Sequence, residues 1–181
     1  MHALMSNIIQ QFPMLLQLGH IQHVKKHTTL LGEGETCHKV FIVETGCVRS
    51  WFNNHGDDVT FQFFFAGDIA TSFESLTNEL PALYNIETLS DVRLRVITKL
   101  ELTRLLASNA LFKQAVDNYI SKRLYHYQAL FISRIKNTPK QRYQELLETQ
   151  PEIFDLVPHH YIATYLGITP VSLSRIRNKK S

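Results

Sequence analysis

The chain has 181 residues, 44% of them hydrophobic, with 19 Lys and Arg against 16 Asp and Glu for a net charge of +3. That size and apolar content allow one large domain or two modest ones with a real core, and they exclude a disordered polyelectrolyte. Two cysteines, Cys37 and Cys47, are too few for a disulfide scaffold or a four-thiolate cluster; with no leader and no apolar run of about 18 residues, the expected setting is a reducing cytoplasm without membrane contact.

Residues 1–18 read as a short amphipathic helix, with Ile8, Ile9, Phe12, Leu15 and Leu16 near helical spacing. From about 20 to 99 the texture changes to short alternating or apolar runs, "KVFIVETG", "CVRSWFNN", "VTFQFFFAG" and "VRLRVI", separated by turn signals. β-branched and aromatic residues with such punctuation predict a sandwich or barrel-like roll. "NNHGDD" between two of these runs predicts a hairpin, since Asn and Gly tolerate positive φ. His20, His23 and His27 fall on a stretch that reads as extended and exposed.

Residues 99–136 contain neither Pro nor Gly and predict a long helix. Val116, Ile120, Leu124, Tyr127, Phe131 and Ile135 fall three or four apart and form one apolar stripe, while Lys113, Lys122, Arg123, Arg134 and Lys136 keep the other side wet. Such a seam needs a partner: its own β domain along part of its length, and the same helix of a second copy along the rest. Thr138 and Pro139 suit the cap and first turn of a new helix over 139–149, with Tyr143, Leu146 and Leu147 inward, and "QPEIFDLVP" reads as a connector.

The last stretch carries the most specific spacing. Pro158 opens a helix through Leu166, Gly167 supplies a left-handed bend, and Thr169-Pro170 caps and opens a second helix. Ala163 is the small residue where two helices approach. Gly167 follows four positions later, Leu173 six after that and Ile176 three further on, so that Ile162, Leu166, Ile168, Leu173 and Ile176 close a miniature core. This is the helix-turn-helix pattern, whose second helix enters the DNA major groove. From Val157 to Ser181 there are Arg175, Arg177, Lys179 and Lys180 and no acid, which points to a polyanionic partner. Arg175 suits a guanine edge, and Ser172, Ser174, Lys179 and Lys180 suit phosphates.

With these residues in hand, the chain resembles a Crp/Fnr-family transcription regulator over roughly residues 18–178. "GEGETCHKVFIVETGCVR" is similar to the opening of that family's roll, "FFFAGDIATSFESL" to its central segment, and "VPHHYIATYLGITPVSLSRIR" to its DNA-reading unit in the short style of Bacteroidetes members. The resemblance implies an α+β fold: a jelly-roll-like double-stranded β-roll sensor over 1–108, a dimerisation helix over 109–137 and a wingless helix-turn-helix over 138–181. It implies a cytoplasmic bacterial homodimer that binds double-stranded DNA, with RNA polymerase a candidate partner and no cofactor, metal or enzymatic activity. The implied DNA-binding residues are Thr169, Val171, Ser172, Ser174, Arg175, Arg177 and Lys179. The dimer residues are Val116, Ile120, Leu124, Tyr127 and Phe131, and the effector-pocket residues are Phe73, Glu74, Ser75 and Tyr84.

This sequence departs from the family at three places. Members that bind cyclic AMP carry a Gly-Glu pair and then an Arg for the cyclic phosphate; here Phe73 precedes Glu74, and no Arg or Lys lies between Gly67 and Arg93. An anionic phosphate buried without a cation is costly, so cyclic AMP is not the expected effector. Position 171, acidic in many relatives, is Val171, so the binding mode transfers without the DNA sequence preference. Two thiols also do not suffice for an iron–sulfur sensor.

Two other readings compete. A regulatory β-roll protein without DNA binding would tolerate acids on the last helix, which has none. A cupin-like metalloenzyme would use His38 and Glu44, but Lys39 and Val40 stand where a second ligand belongs.

Overall fold

A computed structural model describes residues 12–178 of the chain. The apolar runs become strands β3 (Lys39–Thr45), β4 (Val48–Asn54), β5 (Asp57–Phe64) and β8 (Val92–Thr98), joined by the shorter β1 (His20–Val24), β2 (Thr29–Leu31), β6 (Ile69–Ala70) and β7 (Asn85–Thr88). They form two antiparallel four-stranded sheets, ordered β1-β8-β3-β6 and β2-β7-β4-β5. The predicted hairpin joins Asn54 to Asp57 through two residues, and its left-handed positions are His55 (φ 55°) and Gly56 (φ 102°), so His rather than Asn takes the first.

Three apolar layers hold the molecule together. Between the sheets lie Val40, Phe41, Val43, Val48, Phe64, Ile86, Leu94 and Val96. The outer face of the first sheet presents Ile42 and Ile97 to Leu15 and Phe112. The outer face of the second presents Cys47, Phe63, Phe65 and Leu89 to Tyr143, Leu146, Ile153, Ile162, Leu166 and Leu173. Because both faces of the roll are covered in part, β3 and the end of β5 read as continuous apolar runs rather than strict alternation. The expected helix over residues 1–18 lies largely outside the described residues, and its described end is a short 3-10 helix, Pro13–Gln17.

The helices are α1 (Phe73–Asn78), α2 (Lys99–Ser108), α3 (Ala110–Lys136), α4 (Pro139–Thr149), α5 (Ile153–Leu156), α6 (His159–Tyr165) and α7 (Pro170–Asn178). The region expected to be one long helix from 99 is therefore two. Asn109 breaks it, with extended backbone (φ −137°, ψ 96°) and a side chain that accepts the Phe112 N–H at 2.9 Å. Asn competes with the helix for backbone hydrogen bonds, so it interrupts without Pro or Gly. Thr138 caps α4 as expected and forms a reciprocal capping box with Gln141. The connector after α4 contains the single turn α5, whose Ile153 is buried. No helix among the described residues is long and apolar enough to cross a membrane.

Candidate nucleic-acid interface

The α6–α7 pair closes around the residues its spacing predicts. Ile162, Ala163, Leu166 and Leu173 are buried, with Ile168 and Ile176 packed against them. The Ile168 N–H donates to the Ala163 carbonyl at 3.0 Å, and Gly167 makes the bend at φ +67°. Thr169 caps α7 by accepting the Ser172 N–H at 3.2 Å, and its hydroxyl lies 3.0 Å from that of Ser172. These two hydroxyls are thus paired with each other.

The outer face of α7 carries Val171 (60% exposed), Ser174, Arg175 and Arg177. None of the described ion pairs includes either arginine. Arg177 does lean back, with Nη1 3.0 and 3.1 Å from the two ring nitrogens of His159 at the start of α6. Lys179 and Lys180 lie outside the described residues.

The opposite side of the pair is tied to the β-roll by residues that sequence reasoning did not single out. Arg49 on β4 is 1% exposed. It donates to Glu87 at 2.8 and 3.0 Å, to Asp58 at 3.0 Å and to the Thr60 hydroxyl at 3.1 Å. Its guanidinium is sandwiched between Trp51 (4.7 Å) and Tyr161 of α6 (3.9 Å), so a ring from the terminal unit completes a buried charge of the roll. Nearby the Thr60 N–H donates to the Thr164 hydroxyl at 3.1 Å. The C-terminal carbonyls of α6 are taken by two arginines: Arg134 donates to Tyr165 O at 2.7 Å and Arg142 to Leu166 O at 2.9 Å. Arg134 is exposed, as expected on the wet side of the long helix, and also reaches a backbone carbonyl.

Along α3 the apolar stripe divides. Val116, expected in the dimer seam, packs with Phe112 and Tyr119 against the outer face of the first sheet. Ile120 is half-buried, while Leu124 (55%), Tyr127, Phe131 (67%) and Ile135 (70%) are exposed along adjoining turns. Arg123, also expected on the wet side, lies over the rings of Phe64 (5.6 Å) and Tyr127 (5.0 Å).

The four candidate effector residues serve different ends. Ser75 is buried and its hydroxyl accepts the Cys37 N–H at 2.8 Å. Tyr84 is half-buried, donates to Thr71 O at 3.2 Å and meets Phe61 edge-on at 4.9 Å. Phe73 and Glu74 are exposed on α1. Arg123 reaches the ring of Phe64 from α3. Of the histidines, His20 and His23 are exposed on β1, and His27 sits exposed in a turn at φ 61°. Glu44 pairs with Arg93 and Arg95 at 3.0 and 3.1 Å. Cys37 and Cys47 are buried free thiols, and burial pushes the Cys47 thiol up to about 12, which suppresses the thiolate that redox chemistry needs.

Residues 21–109 match the family described as cyclic nucleotide-binding domain. Among solved structures, FixK2 from Bradyrhizobium japonicum superposes with a TM-score of 0.77 at 19% identity, over 90% of this chain and 84% of that one. The c-di-GMP-responsive global regulator CLP from Xanthomonas campestris gives 0.71 at 18% identity, over 96% and 90% of the two chains. A putative crp/fnr-family transcriptional regulator from Eubacterium rectale gives 0.70 at 18%, over 94% and 82%. Identities this low establish a shared fold; the last two proteins are described as regulators and not as enzymes. No curated protein matches the chain in sequence.

Proposed function

We propose that the chain is a homodimeric, sequence-specific DNA-binding transcription regulator of the Crp/Fnr type, acting in the bacterial cytoplasm. The observation that carries this reading is the outer face of α7, where Arg175 and Arg177 stand exposed without a carboxylate partner among the described residues, on a helix seated by its buried inner side. In this reading residues 1–108 are the sensor, 109–137 the pairing helix and 138–181 the DNA-binding unit. Arg175 contacts a guanine edge, Thr169 and Val171 present methyl groups at the leading end of the helix, and Ser172, Ser174, Arg177 and Lys179 meet the phosphates.

Pairing runs through Ile120, Leu124, Tyr127 and Phe131, and not through Val116, which its own roll already covers. Two α7 helices then enter the major groove about one turn apart, ~34 Å, on a palindromic site. The roll lacks a cation on the segment where the family holds the cyclic phosphate, and Arg123 is hydrogen-bonded to the Tyr127 hydroxyl at 2.6 Å. We therefore assign the roll a regulatory role that does not use cyclic AMP in the family's usual phosphate-paired manner.

The test is selection of duplexes from a random pool followed by titration over a range of salt. A palindromic consensus, bound with an affinity that falls steeply with ionic strength, is the expected result. Failure to retain duplex DNA even at low salt overturns the reading.

A further inference from the structure

We propose that His159 is a proton-gated cation of the nucleic-acid interface: duplex binding takes up a proton at its ring, so the affinity for DNA rises as pH falls. This deepens the DNA-binding reading above and rests on it. The observation behind it is a contact across the α6–α7 pair. Arg177 Nη1 lies 3.0 Å from His159 Nδ1 and 3.1 Å from Nε2. A donor aimed along the lone pair of one ring nitrogen stands well away from the other. Near-equal distances therefore place the guanidinium nitrogen over the face of the imidazole, a contact that a neutral ring favours and a charged one opposes. Both side chains are exposed, and none of the described ion pairs includes either of them.

The charged groups packed around α6 are committed elsewhere. Helix α7 adds Arg175 and no carboxylate. From the roll, Asp58 and Glu87 pair with Arg49 at 3.0 and 2.8 Å. At the far end of α6, Arg134 and Arg142 hold backbone carbonyls. Glu152 and Asp155, the carboxylates nearest in the chain, are not among the described partners of His159. On α6 itself, the His160 ring lies against Tyr161 with centres 3.9 Å apart. Burial and the Arg49 charge hold His160 below the ordinary histidine range, against the opposing pull of Asp58, so His160 is a poor site for the proton near neutral pH.

A phosphate drawn to Arg177 stands beside the same imidazole. An anion within about 4–6 Å favours the charged ring, and solvent supplies the proton to the nitrogen that lacks one. Imidazolium and guanidinium then meet the phosphate from α6 and α7, and the anion offsets the repulsion between the two cations. A complex that holds this proton more tightly than the free protein is favoured as pH falls. The gain is absent where the complex itself loses the proton, and complete where the free protein also carries it.

Full-length protein is titrated with its selected duplex at about pH 6 and about pH 8, at one ionic strength. We expect native protein to bind about tenfold more tightly at the lower pH, roughly threefold from each protomer. His159→Gln keeps an uncharged polar side chain at an exposed position, so it should bind as native protein does at the higher pH and gain nothing at the lower. His159→Lys supplies the charge permanently and should bind at the higher pH as tightly as native protein does at the lower. Calorimetry in two buffers of different ionisation enthalpy should count more protons taken up by native protein than by His159→Gln. A side chain that only positioned Arg177 would shift affinity equally at both pH values and change no proton count. Equal native affinity at the two pH values, or a pH dependence undiminished in His159→Gln, overturns the proposal and leaves the DNA-binding reading standing. Failure to bind duplex at either pH overturns both.

Discussion

Helices α6 and α7 follow one another in the chain and share one small core, yet the molecule treats them in opposite ways. Around α6 nearly every group has an internal partner: Ile162 and Ala163 are buried, Tyr161 stacks on Arg49, Thr164 accepts from the β5 backbone, and two arginines hold the terminal carbonyls. On α7 only Leu173 is buried, the cap hydroxyls pair locally, and the arginines make no ion pair among the described residues. The difference separates two jobs that a list of basic residues cannot. The arginines of the roll and of α3–α4 hold carboxylates and backbone carbonyls, whereas on α7 Arg177 leans only on the His159 ring and Arg175 is exposed.

The strongest way to break this comparison is at the seat of α6. Arg49→Met removes the guanidinium from between Trp51 and Tyr161 and leaves Glu87, a largely buried carboxylate, without its main partner. Breaking one side of a buried pair costs about 3–5 kcal/mol. We expect a loss of that size in urea unfolding. Tyr161→Leu keeps the ion pairs and removes only the stacked ring, so it should cost about 1–2 kcal/mol beyond the lost apolar area. Equal costs for the two would show that the ring, not the charge, seats the terminal unit.

Next in size is the seam. Leu124 is exposed and makes no core contact, so Leu124→Glu should leave monomer stability within about 0.5 kcal/mol. At a two-fold interface it places two carboxylates in an apolar seam, a penalty on the order of 3 kcal/mol, or about a hundredfold in the dimer constant. Sedimentation should find monomers, and a surviving dimer would move the interface elsewhere. Arg175→Ala should then weaken selected-operator binding by ~1–3 kcal/mol and relax selectivity at one base pair, with unfolding unchanged. An affinity loss equal for all sequences would demote Arg175 to a phosphate contact.

Much of this was legible from local pattern. Four strands, the hairpin, the Thr138 cap and the core of the α6–α7 pair follow from alternation, turn chemistry and spacing, which are properties of neighbours in the chain. The break at Asn109 carried a signal, an Asn before an apolar helical run, but it was outweighed by the absence of Pro and Gly. The neighbours of Val116, Arg123 and Arg134 were hidden for a different reason. A helical stripe gives the direction a side chain leaves the helix but not what stands there, and α3 changes neighbours along its length from the first sheet to the rim of the roll and then to α6. The seat of Arg49 was the least legible feature, because it joins residues separated by up to 112 positions, Arg49 and Tyr161, through contacts that no local period encodes.

The smallest expected effect tests the bend between the two helices. Gly167 adopts φ +67°, and a Cβ there would meet no atom of the described residues within 4 Å. The requirement for glycine is therefore conformational and not steric, and Gly167→Ala should cost about 1 kcal/mol. For a chain of this size that corresponds to a fall of roughly 2–4 °C in Tm. Gly167→Asn separates the two explanations, since Asn tolerates the left-handed region and should recover most of the loss although its side chain is larger. If Asn instead proved worse than Ala, the space around the turn would have to be closed by something outside the chain, and the gap between a satisfied α6 and an unsatisfied α7 would have to be redrawn at residue 167.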